Sequence, residues 1–319
     1  MNNSLLQVKN LVVEFPGRHG TLRALDGISF DIAPGEILGV VGESGAGKSL
    51  TGAAIIGLLE PPGRIASGEI LLEGQRIDNL SSDQMRPIRG RKIGAIFQDP
   101  LTSLNPLYSV GRQLTETILA HLPMSAAQAR RRAIDLLQDT GIPAAEERID
   151  HFPHQFSGGM RQRVVIALAL AAEPRLIVAD EPTTALDVSI QAQIVALLQG
   201  LQRDLGLTYL FISHDLGLIR YFCSSIVVMY LGSVVEELPH PQAAPRHPYT
   251  AALMASNFTP DPLHRKIIAP LSSEIPSAFN LPKGCAFAAR CPHATNRCQN
   301  EAPRLTNDNG HRFACFHPL

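Results

Sequence analysis

Eight consecutive residues have the types and spacing of a phosphate-binding loop. They are Gly42, Glu43, Ser44, Gly45, Ala46, Gly47, Lys48 and Ser49, and they fit the pattern G-x-x-x-x-G-K-[ST] at every fixed position. The glycines allow the backbone to curl so that successive N–H groups point at one anion beside a helix N-terminus. Lys48 supplies positive charge for the outer phosphates, and the Ser49 hydroxyl is a suitable Mg²⁺ ligand.

The segments on either side distinguish a nucleotide site from a glycine-rich turn that precedes a lysine by chance. Residues 37–41 form an apolar run that predicts a short buried strand, and residues 51–59 predict a helix that ends before Pro61. Strand, glycine-rich turn and helix are the context that this pattern needs. We therefore interpret the loop as a nucleotide site.

Two carboxylates end another predicted strand. The apolar residues 176–179 are followed by Asp180 and Glu181. At a strand end near the phosphates, Asp180 is suited to hold Mg²⁺ through water, and Glu181 to polarise the water that attacks the γ-phosphate. The competing interpretation is a pair of solvated carboxylates in the turn before Pro182.

Gln98 and His214 also follow apolar runs, 93–97 and 209–213, that predict buried strands. Ligands of open α/β sheets bind beyond the carboxyl ends of the strands, so we expect both side chains at the edge that carries Lys48. There Gln98 is able to contact Mg²⁺ or the attacking water, and His214 the γ-phosphate. A structural or exposed histidine is the alternative.

Two further features have a functional and a structural interpretation. Ser157, followed by Gly158 and Gly159, is a candidate N-cap of a second phosphate-binding helix, or of an ordinary capped helix. Phe15 lies in a segment, residues 5–32, that predicts a small antiparallel layer, and its ring is able to stack on a base. A place in the core or at its rim is the other interpretation of Phe15.

Composition excludes several classes of protein. The 319 residues are 45% hydrophobic and 18% charged, with a net charge of −1 and no dense Lys/Arg stripe. These values predict a globular protein for which nucleic acid is not a partner. The N-terminus lacks the pattern of a signal peptide, and the longest apolar run, 164–172, is too short to span a bilayer. We expect a cytosolic protein that reaches any membrane through a partner.

Four of the five cysteines lie close together near the C-terminus, whereas Cys223 precedes an apolar strand and is predicted to be a small buried residue. The four are Cys285, Cys291, Cys298 and Cys315, separated by 5, 6 and 16 residues. Four thiols in a cytosolic segment with little core of its own favour a metal over disulfides. Their spacings are looser than those of most structural zinc sites. Since none lies near the nucleotide residues in sequence, we expect a structural or regulatory role that leaves phosphate-site affinity almost unchanged.

Taken together, these motifs resemble the nucleotide-binding subunit of ATP-binding cassette (ABC) transporters over residues 5–235. Besides the phosphate loop, the resemblance includes the Q-loop Gln98, the signature 157–162, the Walker B residues Asp180 and Glu181, the D-loop 185–187 and the switch His214. The signature differs from its commonest form at Phe156 and Met160 but keeps the serine and both glycines. The family implies an α/β fold: a P-loop NTPase (RecA-like) core with an N-terminal antiparallel β layer, a helical subdomain and a small cysteine-containing C-terminal extension.

The resemblance also implies ATP and Mg²⁺ as cofactors and assigns a role to each motif. The implied Mg²⁺ ligands are Ser49, Gln98 and Asp180, the implied catalytic residues are Glu181, His214 and Gln98, and the signature of a second subunit closes over the ATP. The implied division of the chain is 1–97 and 166–235 for the nucleotide-binding core, 98–165 for the Q-loop and helical signature subdomain, and 236–319 for the extension.

Residues 97–106 and 247–253 look like the Q-loop and the start of the extension in the dipeptide/oligopeptide permease branch. This branch implies a bacterial importer at the cytoplasmic face of the inner membrane. Two ATPase subunits, identical or paralogous, lie under two transmembrane permease subunits, and an extracytoplasmic solute-binding protein delivers the peptide. Related members import nickel, glutathione or other small solutes, so the solute stays open.

The branch also bears on the four cysteines, because this tail resembles one that binds a [4Fe–4S] iron–sulfur cluster through its thiolates. Zinc and unligated thiols remain the alternatives. Two other classes of ABC protein compete with the importer. A soluble ABC ATPase of translation or DNA repair typically has tandem cassettes or coiled-coil insertions, and a non-hydrolysing regulatory subunit would not need Glu181 and His214.

Overall fold

The computed structural model describes residues 4–18, 20–184, 186–256, 276 and 282–319. Its strands, β1 to β12 in chain order, are Leu6–Gly17, Gly20–Ile32, Ile37–Val41, Arg64–Leu72, Gln75–Arg76, Ile93–Ile96, Leu176–Asp180, Thr208–Ile212, Ser225–Tyr230, Ser233–Leu238, Thr306–Asp308 and His311–Phe313. Its helices, α1 to α11, are Lys48–Ile55, Ser82–Met85, Pro100–Ser103, Val110–His121, Ala126–Asp139, Ala145–Arg148, Gly158–Leu170, Val188–Leu205, Leu216–Phe222, Pro248–Ala255 and Asn296–Asn300. Ala185, at the start of the interpreted D-loop, lies outside the described residues.

The chain forms two compact units that interleave along the sequence. The helical unit contains the described residues of Met1–Leu5, Ala33–Glu36 and Asn79–Leu210. The phosphate-loop unit contains those of Leu6–Ile32, Ile37–Asp78 and Phe211–Leu319. The division into four consecutive parts, made from the sequence, stays a prediction.

The phosphate-loop unit begins with the antiparallel layer that the sequence predicts. β1 pairs antiparallel with β2 and β4 in a sheet of order β2-β1-β4-β5. The same unit contains the neighbouring strands β11-β12-β10-β9-β3, in which β3 runs parallel to β9 and Val41 lies opposite Val228. All five residues of β3 are buried, as expected of a parallel strand that is covered on both faces.

The C-terminal extension belongs to the phosphate-loop unit and contributes to its core. Strand β12 pairs with β10, so that Phe313 lies opposite Glu236. Phe287 is 1% exposed and packs on the rings of Tyr230 and Tyr249, with ring centroids 5.4 Å apart in both pairs. The sequence predicts little core here, because apolar residues without periodicity give no signal until their partners in β9 and α10 are known.

The helical unit carries two parallel strands and a group of capped helices. β6 pairs parallel with β7, and Ile96 lies opposite Ala179. Helices α4, α5 and α6 occupy the region 110–150 that predicts a helical subdomain. Ser125 caps α5 in a capping box with Gln128, which satisfies orphan N–H groups at that helix end. Among the described residues, no helix is long and apolar enough to cross a membrane.

Candidate functional site

The phosphate loop curls between β3 and α1, and Lys48 is enclosed by it. Helix α1 is Lys48–Ile55, so it begins and ends earlier than the predicted 51–59. Gly47 adopts a left-handed φ of 97° and serves as its N-cap. The Lys48 ammonium donates to the carbonyls of Gly42 at 2.9 Å and Glu43 at 3.1 Å, and the residue is only 6% exposed. The charge is therefore held within the loop whose amides are suited to phosphate.

Packing explains why two positions of the loop are glycine. A Cβ atom at Gly42 would lie 2.2 Å from the backbone oxygen of Met229, and one at Gly47 would lie 2.6 Å from Leu25 Cδ2. The Met229 oxygen belongs to strand backbone that has little freedom to move, so a side chain is excluded at Gly42. At Gly47 the left-handed φ of 97° adds to the close contact with Leu25. The loop is thus seated directly against β9 and β2.

Glu43 has partners in the C-terminal extension that sequence reasoning missed. Its carboxylate accepts from Arg290 Nη1 at 2.6 Å and from Arg290 Nη2 at 2.9 Å. Its backbone N–H donates to the Tyr249 hydroxyl at 2.9 Å. Arg290 is separated from Glu43 by 247 residues, and no local pattern marks the pair.

Gln98 and Glu181 come together in the helical unit, as their places at strand ends predict. Because β6 and β7 are parallel and in register, both side chains leave the same edge. Gln98 Nε2 donates to Glu181 Oε2 at 3.1 Å, and Thr184 Oγ1 donates to the same oxygen at 2.8 Å. Glu181 has φ of 47°, a left-handed conformation that costs energy outside glycine and is often found at functional positions. Asp180, the last residue of β7, is half-buried.

The other predicted residues of the phosphate-loop unit are His214 and Phe15. His214 is exposed and follows Ser213, whose N–H donates to the Val40 carbonyl at 3.1 Å, so it lies beside the end of β3. Phe15 is half-buried, and a Cβ at Gly63 would meet its ring at 2.6 Å. Stacking of Phe15 on a base stays a prediction.

Ser157 is the N-cap of α7 and accepts the Met160 N–H at 3.4 Å. Both Ser157 and Gly158 are exposed, and a Cβ at Gly158 would meet no described atom within 4 Å. Gly159 faces the chain itself, because its Cβ would lie 2.8 Å from Ile190 of α8. The start of this helix is therefore accessible to another molecule.

The four C-terminal cysteines line one pocket of the phosphate-loop unit, which also contains Phe287. Burial raises the pKa of the Cys285, Cys291 and Cys315 thiols. Across the part of the chain that the structure describes, no group of three or more His, Cys, Asp or Glu side chains is placed to hold a metal ion. The cysteines share a pocket, and metal binding by them stays a prediction. Cys223 is 5% exposed, which confirms its prediction as a buried small residue.

His247 has a structural role at the start of the extension. It is 1% exposed and caps α10, where its Nδ1 accepts the Tyr249 N–H at 3.1 Å. Burial lowers the pKa of His247 to about 4, so the ring is neutral at physiological pH. A neutral Nδ1 is needed to accept this hydrogen bond, which in turn holds the α10 residue whose hydroxyl contacts Glu43.

Comparison with known proteins relates the chain to ATP-binding subunits of transporters. The family profile described as ABC transporter matches residues 25–184, and that of the oligopeptide/dipeptide transporter C-terminal region matches residues 242–298. The chain is 44% identical to the dipeptide transport ATP-binding protein DppD of Escherichia coli, over 99% of this chain and 97% of that protein. It is 47% identical to the oligopeptide transport ATP-binding protein OppD of Bacillus subtilis, over 91% of this chain and 82% of that protein.

Solved structures give the same result for the fold. The dimeric post-hydrolysis state of the ATP-binding cassette MJ0796 bound to ADP and Pi superposes with a TM-score of 0.67 at 30% identity. It covers 75% of this chain and 100% of that one. These likenesses confirm the predicted mixed α/β fold with an antiparallel sheet and helices.

Proposed function

The chain belongs to the ABC transporter family and has its ATPase fold, and we propose that it is the ATP-hydrolysing subunit of a di- and oligopeptide importer. The observation that carries the peptide assignment is the extension. Residues 242–298 match the C-terminal region of oligopeptide/dipeptide transporters, and the similarity to DppD extends over nearly the whole chain. The alternative solute is another small molecule such as nickel or glutathione.

We propose the following division of work among the site residues. Lys48 and the loop amides hold the phosphates, Ser49, Gln98 and Asp180 hold Mg²⁺, Phe15 stacks on the adenine, and His214 senses the γ-phosphate. Glu181 acts as the base that orients the attacking water. Its Oε2 is fixed by Gln98 and Thr184, and this contact supports the role, because a base must be held in place to be effective.

Partners follow from the proposed function. Two transmembrane permease subunits form the pathway for the peptide, and a second ATPase subunit pairs with this chain. An extracytoplasmic solute-binding protein delivers the peptide. We propose that the chain is a peripheral subunit at the cytoplasmic face of the bacterial inner membrane. ATP-driven closure of the two ATPase subunits changes the facing of the permease, and hydrolysis resets it.

The test is a solute-uptake screen in cells that lack this chain. Uptake of labelled di- and oligopeptides should be lost and should return with the wild-type chain, but not with Lys48→Ala, since this variant lacks the phosphate-binding charge. Normal peptide uptake with loss of nickel or glutathione uptake would establish the alternative solute. Unchanged uptake of every solute would contradict an importer role.

We also propose that the four cysteines hold a [4Fe–4S] cluster. Support comes from their meeting at one pocket and from the suitability of four thiolates for iron–sulfur chemistry. Bound there, the cluster would tie together segments that are far apart in the extension. None of its chemistry is needed for ATP hydrolysis.

Anaerobically purified protein is therefore expected to be brown, with broad thiolate-to-iron absorbance at about 400 nm. Cys291→Ser should bleach this absorbance and loosen the extension, whereas the same substitution at the buried Cys223, outside the pocket, should leave the colour unchanged. Iron, zinc and free-thiol contents are the measurements. Colourless protein with one zinc per chain would establish zinc instead, and four freely alkylated thiols without metal would remove both.

A further inference from the structure

Glu43 connects the C-terminal extension to the lysine of the phosphate loop. Its carboxylate accepts both terminal nitrogens of Arg290, its N–H donates to the Tyr249 hydroxyl, and its carbonyl accepts from Lys48 Nζ. All four residues belong to the phosphate-loop unit. One residue of the loop is thus held from its side chain and from both backbone groups.

Arg290 is itself firmly placed. It is 7% exposed, ends the short turn Ala288–Arg290 and immediately precedes Cys291. Its Nη1 also donates to the Tyr230 hydroxyl at 3.3 Å. Phe287, at the start of the same turn, packs on the rings of Tyr230 and Tyr249. The guanidinium therefore reaches Glu43 from a segment that is anchored in the core.

The energetics of such an ion pair indicate that it fixes the orientation of Glu43 more than it adds to the net stability of the fold. Desolvation of two charges offsets much of their attraction, so apolar residues of similar shape often serve stability equally well. A bidentate guanidinium–carboxylate pair, in contrast, fixes the orientation of both groups. Here the fixed group is part of a loop whose amides must all point at one anion.

Charge gives a second reason for Arg290 to matter. Glu43 places a carboxylate in a loop that must attract a triphosphate, and an unpaired carboxylate at that place would repel it. The Arg290 guanidinium lies within 2.6 Å of this carboxylate and neutralises it. The effect of removing Arg290 should therefore depend on whether Glu43 keeps its charge.

We propose that Arg290 is a positioning residue for ATP binding, by which the segment around Cys291 sets the affinity of the phosphate loop. It acts through Glu43 and does not touch the nucleotide. By linkage, ATP binding must favour docking of this segment by the same factor as docking favours ATP. Because the cysteines are far from the nucleotide residues in sequence, the cysteine segment was expected to leave phosphate-site affinity unchanged. The contact between Arg290 and Glu43 removes the reason for that expectation.

The experiment measures Mg²⁺–mant-ATP binding and steady-state ATP hydrolysis with the full-length chain. Arg290→Gln should raise the Kd and the KM for ATP about tenfold, or about 1.4 kcal/mol, with kcat unchanged. Arg290→Lys, which keeps the charge but loses the paired geometry, should raise them about threefold. The double variant Glu43→Gln with Arg290→Gln should bind ATP better than Arg290→Gln alone, because the unpaired carboxylate is gone.

Arg312 offers a matched control, because it joins β12 to Glu237 of β10 by an ion pair at 2.9 Å. Arg312→Gln should leave Kd unchanged. Hydrogen exchange of residues 285–291 should slow when ATP binds to the wild type but not to Arg290→Gln. Equal Kd values for Arg290→Gln and Arg312→Gln, or a double variant no better than Arg290→Gln, would overturn the proposal. Should Arg290→Gln fail to fold, a wild-type Kd for ATP in Arg290→Lys would equally overturn the proposal. Neither measurement depends on whether the protein transports peptides.

Discussion

Glu181→Gln is expected to bind ATP as tightly as the wild type and to hydrolyse it on the order of 10²–10⁴ times more slowly. The amide keeps an oxygen that accepts from Gln98 and Thr184, so the local geometry is retained. It cannot take a proton from water, and it polarises the water far less than a carboxylate does. Phosphate release under saturating ATP is the measurement, with ATP affinity determined separately.

Glu173→Gln is the matched control for this variant. Glu173 lies in the same unit, has a left-handed φ of 58° like that of Glu181, and pairs with Arg132 at 3.1 Å. Glu173→Gln removes the same charge from a residue with the same kind of backbone strain, but Glu173 is not a proposed catalytic group. Turnover should therefore be unaffected. Turnover of Glu181→Gln within a few-fold of wild type would contradict the role of Glu181. Accumulation of an ATP-bound dimer by Glu181→Gln would agree with it.

The sequence predicts those parts of the molecule that depend on local pattern and on strand direction. The apolar run 37–41, the glycine spacing of the loop and the helix after it are local signals, and all three elements are present. The meeting of Gln98 and Glu181 follows from one further rule, that parallel neighbours end at the same edge. Here the positions of two strand ends were sufficient to predict that two residues 83 positions apart in the sequence lie close together.

The start of α1 was less accurately predicted, because the sequence does not show that Gly47 takes a left-handed conformation and lets the helix begin at Lys48. The contact of Arg290 with Glu43 could not be predicted at all. It depends on how the segment that contains the four cysteines packs on β9 and α10, and the residues between Cys285 and Cys315 have no periodicity that fixes this packing. Sequence distance was misleading there, because tertiary packing brings Arg290 onto the phosphate loop.

Ser157→Arg is expected to leave ATP binding to the isolated chain unchanged and to lower turnover by on the order of 10²-fold or more. Ser157 and Gly158 are exposed, and the space beside Gly158 is open to another molecule. We therefore expect the signature helix to act on ATP held by a second subunit. Ser125→Arg is the control: it removes another exposed N-cap from the same unit, worth about 1 kcal/mol of stability, and turnover should persist.

Mixed dimers test this arrangement most directly, with Lys48→Ala as the second lesion. If the helix acts on the partner's ATP, pairing a Lys48→Ala subunit with a Ser157→Arg subunit puts both lesions into one site and leaves the other site intact. If it acts on its own ATP, the same pairing damages both sites. The second pairing places both substitutions in one subunit beside a wild-type partner. It damages both sites if the helix acts on the partner's ATP, and leaves one site intact if the helix acts on its own ATP. The expected result is therefore higher turnover for the first pairing than for the second, and the opposite order would show that each signature helix serves the ATP of its own chain.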